Sequence, residues 1–256
     1  MTAPRIFTPE YYHRMRRLEQ TSWWNAGMRD VAARLLAQAS LPPTGLMLDV
    51  GCGSGQTISW FARHHAGWRT AGLDVSWEAV VAAHRAQTNA VVASALRLPL
   101  PDHIADLAIT LDVVQHLPLR GGDVQALSEV HRVLKTGGYL LLRTNSQSFP
   151  RAGDDEEASF HKYEPAELRA KLKTAGFTVV RLSRLNALLG LAEIPRELRA
   201  RRSQHTEYHG LLTEPSTERS RISSVVKRSW LRLEGCLVAG GWQLPIGRTI
   251  LALCRA

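Results

Sequence analysis

The chain has 256 residues, 45% of them hydrophobic, so it can bury a full core, and its length suits one domain with an elaboration better than two independent domains. A formal net charge of +9 and a pI near 10.0 invite a nucleic-acid partner, yet the positive residues are overwhelmingly Arg in an Ala-rich chain, a mark of codon composition, and most such charges form a solvated surface. Cys52, Cys236 and Cys254 are scattered without C-x-x-C spacing, which excludes a disulfide framework and a zinc site and points to a reducing, cytoplasmic setting, and the charged stretch from Met1 to Arg17 holds no apolar run of signal-peptide length, so export is not expected.

In chain order, Thr8-Pro9-Glu10 is a helix start, with a cap followed by proline in the first turn. The stretch through Trp23 and Trp24 to Ala37 then reads as one or two helices ahead of Pro42-Pro43, and residues 1–41 form an N-terminal helical lid. Tyr11, Tyr12, Trp23 and Trp24 are candidates to close over a site, although aromatic residues at helical spacing are commonly core. Next comes the most informative run, Met47-Leu48-Asp49-Val50-Gly51-Cys52-Gly53-Ser54-Gly55-Gln56-Thr57: an apolar strand, a glycine-rich turn and a helix start.

Strands are expected over Leu46–Val50, Arg69–Asp74, Ala90–Ala93, Asp106–Leu111, Tyr139–Thr144, Phe177–Leu182 and Thr249–Cys254. Between them Ile58, Phe61 and Ala62, and again Leu127, Val130 and Leu134, recur at helical spacing and give each helix an apolar stripe. The segment Asp154 to Ser159 reads as an acidic loop, and His161-Lys162-Tyr163-Glu164-Pro165 leads into a helix ending at Gly176. An insertion over about 185–240 carries Arg196, Arg199, Arg201, Arg202, Arg219, Arg221, Lys227, Arg228 and Arg232, with Ile222, Val225, Val226, Leu231 and Leu233 as a possible apolar helix face. Gly235 to Cys254 is mostly apolar, but Gly240, Gly241, Gln243, Pro245 and Arg248 interrupt it, so it reads as a turn and a buried strand rather than a membrane span.

This alternation implies an α/β, Rossmann-like fold: a seven-stranded, mainly parallel sheet with helices on both faces, an N-terminal helical lid and a helical insertion before the last strand. Residues 42–145 make the cofactor-binding half and 146–256 the acceptor side, within a single domain spanning 1–256. Ligands of such sheets sit at the carboxyl ends of the strands.

The glycine spacing decides what binds there. A dinucleotide turn reads G-x-G-x-x-G with backbone amides facing a pyrophosphate, whereas here the third glycine comes one place early and Asp49 precedes the first. A carboxylate beside the turn repels a pyrophosphate and suits an ammonium group. The segment Asp49-Val50-Gly51-Cys52-Gly53-Ser54-Gly55 resembles the D-x-G-x-G-x-G motif of class I S-adenosylmethionine-dependent methyltransferases, of the type 11 kind. Ala71-Gly72-Leu73-Asp74-Val75-Ser76 follows as a second strand ending in an acid about 20 residues on, where a carboxylate can accept both ribose hydroxyls, with Ser76 as a helix cap. Leu98 to Asp102, Leu111 to Leu117 and Arg132 to Leu140 resemble the family's later blocks.

The resemblance implies S-adenosyl-L-methionine as cofactor, held by Asp49, Gly51, Cys52, Gly53, Gly55, Asp74, Val75, Ser94, Ala95, Leu111 and Gln115. Val75 would lie on adenine, Leu111 would offer a backbone carbonyl to the amino group, and Cys52 also reads as a small buried filler. Ala93-Ser94-Ala95 stands where relatives commonly have Gly-Asp-Ala, and Thr136 where a proline is usual. Methyl transfer to a small-molecule acceptor is implied, at an oxygen, with a lipid-linked or glycan acceptor or RNA as the alternative and a silent binding module as the reading from another class. A nicotinamide oxidoreductase would need the later third glycine. His116, at the end of the Leu111–Leu117 block, is the candidate base, since a hydroxyl acceptor must lose its proton; its other reading is a residue that orients its loop. His161 and Tyr163 are secondary catalytic candidates on a loop expected at the surface. No metal is expected, because an Asp-Asn pair to accompany Asp112 is missing; the basic insertion reads either as a peripheral contact with anionic membrane or, more commonly for such a segment, as a helix packing on its own domain.

Overall fold

The computed structural model describes residues 22–118, 120–148, 161–187, 191 and 218–256. The element order is α1 (Trp23–Leu36), β1 (Gly45–Val50), α2 (Gln56–His64), β2 (Trp68–Asp74), α3 (Trp77–Arg85), β3 (Ala90–Val92), β4 (Ala105–Leu111), a 3-10 turn (Val114–His116), α4 (Gly122–Val133), β5 (Leu134–Asn145), α5 (Pro165–Thr174), β6 (Thr178–Leu185), α6 (Glu218–Ala239) and β7 (Thr249–Arg255). The expected start at Thr8-Pro9-Glu10, Tyr11 and Tyr12, the acidic loop at Asp154 to Ser159, and Arg196 to Arg202 lie outside the described residues.

The strands form one seven-stranded sheet in the order β3-β2-β1-β4-β5-β7-β6. Pairings from β3 through β5 are parallel, and β7 runs antiparallel to both of its neighbours. The carboxyl ends of β2, β1, β4 and β5 therefore share one edge, with Asp74, Val50, Leu111 and Asn145 along it. Being reversed, β7 adds its first residue, Thr249, opposite Asn145.

Alternation along each strand splits the core in two. On one face Met47, Ile109, Tyr139 and Leu141 pack with α1 (Met28, Val31, Leu35), α2 (Ile58, Phe61) and α6 (Leu231, Val238). On the other, Leu48, Ala108, Leu140 and Leu142 pack with α4 (Leu127, Val130, Val133) and α5 (Leu168, Leu172). Two expected stripe positions differ. Ala62 is exposed, and Leu134 is already the first residue of β5, its place on α4 taken by Val133.

The helix α1 is a fixed layer of the sheet's cover and is tied to α6. A Cβ on Gly27 would meet Leu231 Cδ2 at 2.7 Å, and one on Gly235 would meet Val31 Cγ2 at 2.8 Å. Trp23 lies under Lys227 Nζ, 5.4 Å from the ring centroid, so the contacts advance together and the two helices run parallel. Arg228 and Arg232 both donate to Asp30, at 2.9 and 2.7 Å. Burial pushes the Asp30 carboxyl up, but those hydrogen bonds and charges outweigh it and leave the group below its ordinary value. Basic residues of the insertion thus serve an internal contact. Gly235 to Ala239, expected in a turn, end α6 instead: a glycine fits there because Val31 occupies the space a side chain would need. Of the expected apolar face, Leu231 is buried while Val225, Val226 and Leu233 are exposed, and the side chain of Ile222 lies outside the described residues. No helix among the described residues is long and apolar enough to cross a membrane.

Candidate active site

The turn after β1 is pinned to β2. Gly51 N and Cys52 N both donate to Leu73 O, at 2.7 and 3.0 Å, and Gly55 N closes the turn on Cys52 O at 2.9 Å. Gly51, Gly53 and Gly55 have φ of +81°, +50° and +76°, which favours glycine at each. Space adds a second demand at Gly51, where a Cβ would stand 2.2 Å from Val113 Cγ2. The chain leaving β4 therefore lies directly against the turn. Gly55 begins α2 with no side-chain cap hydrogen bond, so no side chain of the cap residue covers the first amides of that helix.

Two carboxylates flank this turn. Asp49 is buried in β1, opposite Gly72 and Ile109. Asp74 ends β2 and receives Gly53 N on Oδ2 at 2.9 Å and Ser76 N on Oδ1 at 3.0 Å, and a carboxylate has further lone pairs with which to accept. Burial raises the Asp74 carboxyl above its ordinary value, against the lowering effect of the Ser76, Gly53 and Val75 amides. Burial first, then the charges of Asp49 and Asp74, raise the Cys52 thiol far above its usual range. Both acids therefore bear on one small volume.

Val75, next to Asp74, is 70% exposed, an apolar side chain just beyond the end of β2, and Ser76 caps α3 through Ala79 N at 3.3 Å. The Ala93–Ala95 bend abuts the same end: Ala93 N donates to Asp74 O at 2.8 Å, and exposed Ser94 takes Leu96 N on its own hydroxyl. A buried acid that can accept a ribose, a second acid suited to an ammonium and an apolar plate for a base fit a nucleoside carrying an amino acid. Residues 48–142 match the methyltransferase domain family.

Over these residues the chain carries a class I S-adenosylmethionine-dependent methyltransferase domain. S-adenosylmethionine is the cofactor of this methyltransferase domain. The chain is 36% identical over 154 residues to a Mycolicibacterium smegmatis protein called a probable S-adenosylmethionine-dependent methyltransferase, covering 58% of each. It is 30% identical over 169 residues to a malonyl-[acyl-carrier protein] O-methyltransferase of a Marinomonas species, covering 62% of this chain and 59% of the relative. The chain thus spans less than two thirds of these curated relatives. An S-adenosylmethionine-dependent methyltransferase of Archaeoglobus fulgidus shares the fold, with a TM-score of 0.60 over 96% of this chain and all of the other, at 16% identity.

The remaining candidates are placed differently from one another. Leu111 ends β4 on the cleft edge. Gln115 is buried, and its Oε1 accepts from Asn145 N at 3.1 Å and Thr144 Oγ1 at 3.2 Å, so it ties the 3-10 turn to β5. His116 closes that turn at the exposed edge. Partial desolvation of its imidazole lowers its pKa from the ordinary histidine value, partly opposed by the charge of Asp112. His161 pairs with Glu167 at 2.8 Å, and its backbone N donates to Gln115 O at 3.0 Å.

Tyr163 corrects the surface-loop expectation: it is 1% exposed, and its hydroxyl meets Asp123 Oδ2 at 3.0 Å and Val114 O at 3.2 Å. Burial, then the Asp123 charge, raises the phenol well above its usual range, so it stays a proton donor in a core network that Lys171 Nζ completes at 2.6 Å from Asp123. A tyrosine beside a helix start gave no sequence sign of this, because Asp123 comes from α4, 40 residues earlier in the chain.

Sequence reasoning also missed Arg143. It donates through Nε and Nη2 to Asp112 Oδ2, at 3.1 and 2.5 Å, and Asp112 holds φ +61° with its N bonded to Arg143 O at 2.9 Å. A left-handed aspartate costs about 1 kcal/mol, and such positions concentrate at functional sites. Periodicity registers position 143 only as one more strand residue.

Proposed function

We propose that this methyltransferase moves the methyl group of S-adenosylmethionine to an oxygen of a small-molecule acceptor in the cytoplasm, with His116 as the general base. The observation that carries this reading is the position of His116, three residues beyond Val113, the residue that lies against Gly51 of the cofactor turn. When bound, the cofactor supplies a methyl on a sulfonium, whose departure leaves a neutral thioether. The chain's own part is alignment and proton removal. The glycine turn and Asp74 fix the donor, and collinear placement of an acceptor oxygen accounts for much of the barrier reduction. His116, held by Gln115 and the Tyr163 network, accepts the acceptor's hydroxyl proton at an imidazole nitrogen.

A lowered pKa keeps that imidazole neutral and able to accept at pH 7. The malonyl-[acyl-carrier protein] O-methyltransferase among the relatives supports oxygen as the acceptor atom. Screening metabolite extracts with labelled donor identifies the acceptor, and His116→Ala is then expected to lower kcat by roughly a hundredfold or more with cofactor affinity unchanged. The wild-type kcat/KM should rise with pH along an acid limb whose midpoint lies below the ordinary histidine value. Near-normal turnover of His116→Ala would remove the base from the account.

A further inference from the structure

We propose that Arg143 is a carboxylate-binding residue at the acceptor end of the cleft, holding an anionic group against the edge of its guanidinium that Asp112 leaves open. The inference rests on the methyl-transfer reading above. Two sources supply this chemistry: an acid group of the acceptor, or the methionine carboxylate of the donor.

Arg143 is in the right place. It pairs with Leu111, the last residue of β4, and so stands at the carboxyl edge that holds Asp74, the glycine turn and His116. By alternation it shares the face of Tyr139 and Leu141, the face that α1 covers and against which Trp23, Trp24 and Leu111 pack.

Its donors are only partly used. The Arg143 side chain is 12% exposed, so its charge is largely withdrawn from water. Only one oxygen of Asp112 meets it, taking both Nε and Nη2. A guanidinium has five N–H donors in a planar fork, and a forked pair with a carboxylate uses two oxygens. Nη1 donates to no described residue, so the Nη1–Nη2 edge is shaped for a second carboxylate.

Stability alone does not account for the pair. A shielded ion pair adds little over an apolar pair of the same shape, and this one accompanies a left-handed aspartate. A ligand that uses the free edge explains both. Asp112, the residue that Arg143 grips, also acts electrostatically on His116, the candidate base.

Calorimetry on the full chain tests the proposal, comparing wild type with the double variant Arg143→Met, Asp112→Asn, which leaves no unpaired charge behind. In one arm the ligands are S-adenosylhomocysteine and 5′-methylthioadenosine, which lacks the carboxylate. In the other, benzoate, malonate and neutral benzamide are titrated into protein saturated with S-adenosylhomocysteine. A donor carboxylate on Arg143 appears as an at least tenfold loss of the preference for S-adenosylhomocysteine. An acceptor carboxylate appears as acid binding by wild type, at least tenfold weaker in the variant, with benzamide inert in both. Equal behaviour of the two proteins in both arms overturns the inference while leaving the methyl-transfer reading intact, and failure of wild type to bind S-adenosylhomocysteine overturns that reading instead. If the double variant does not fold, Arg143→Lys, which keeps the charge and loses the fork, gives the same comparison.

Discussion

At Gly51 a single methyl group decides whether the cofactor turn can form, since the left-handed φ opposes any side chain and so does the Val113 methyl, 2.2 Å from where a Cβ would stand. Gly51→Ala is expected to cost about 1–3 kcal/mol of stability, read from the urea midpoint, and to weaken cofactor binding by displacing the chain after β4. The cysteines offer a check on local burial. Cys236 is exposed, Cys52 and Cys254 are buried, and burial raises the Cys254 thiol to about 12. Iodoacetamide at pH 8 should therefore label Cys236 alone in the folded protein and all three after unfolding; labelling of Cys52 in the native state would contradict the packing of the turn. Asp49, the glycines and Asp74 were legible as a set because local backbone chemistry and short spacing define them. Tyr163 and Arg143 were not, because their partners, Asp123 and Asp112, are non-local.

At the level of elements, the seven strands are visible in the sequence as apolar runs bounded by Gly, Pro and Asp, and their ends fall close to the observed ones except in β5 and β6, which extend further. Strand direction is not written in such runs: nothing within Thr249–Arg255 announces that it lies antiparallel between β5 and β6. The pairing of α1 with α6 was equally hidden, since it joins segments about 200 residues apart through Gly27, Gly235 and Asp30. Gly27→Val should lower stability by about 1–3 kcal/mol through collision with Leu231, measured as a shift of the denaturant midpoint. An unchanged midpoint would contradict the close helix contact. Glu234 anchors the same helix. It is buried and accepts from Asn186 N, Ala187 N at 3.0 Å and Trp230 Nε1 at 3.0 Å, so α6 is fastened to the end of β6 as well as to α1.

For the molecule as a whole, the parallel strands bring residues from β1, β2 and β4 to one edge of the sheet, while β5 adds Arg143 and the clamp on Gln115. The cofactor side of that edge is acidic and built from short-range sequence, and the acceptor side is built from contacts across the sheet. This asymmetry is why the methyl donor could be read from the chain and the acceptor could not. The central claim is that S-adenosylmethionine lies over the turn from Asp49 to Gly55 with its ribose on Asp74. Calorimetric titration of S-adenosylmethionine into wild type and Asp74→Ala tests it most directly. The account requires one site in wild type and an affinity at least tenfold lower in the variant, about 1.4 kcal/mol; no heat of binding at millimolar cofactor, or equal affinity in the two proteins, would contradict it.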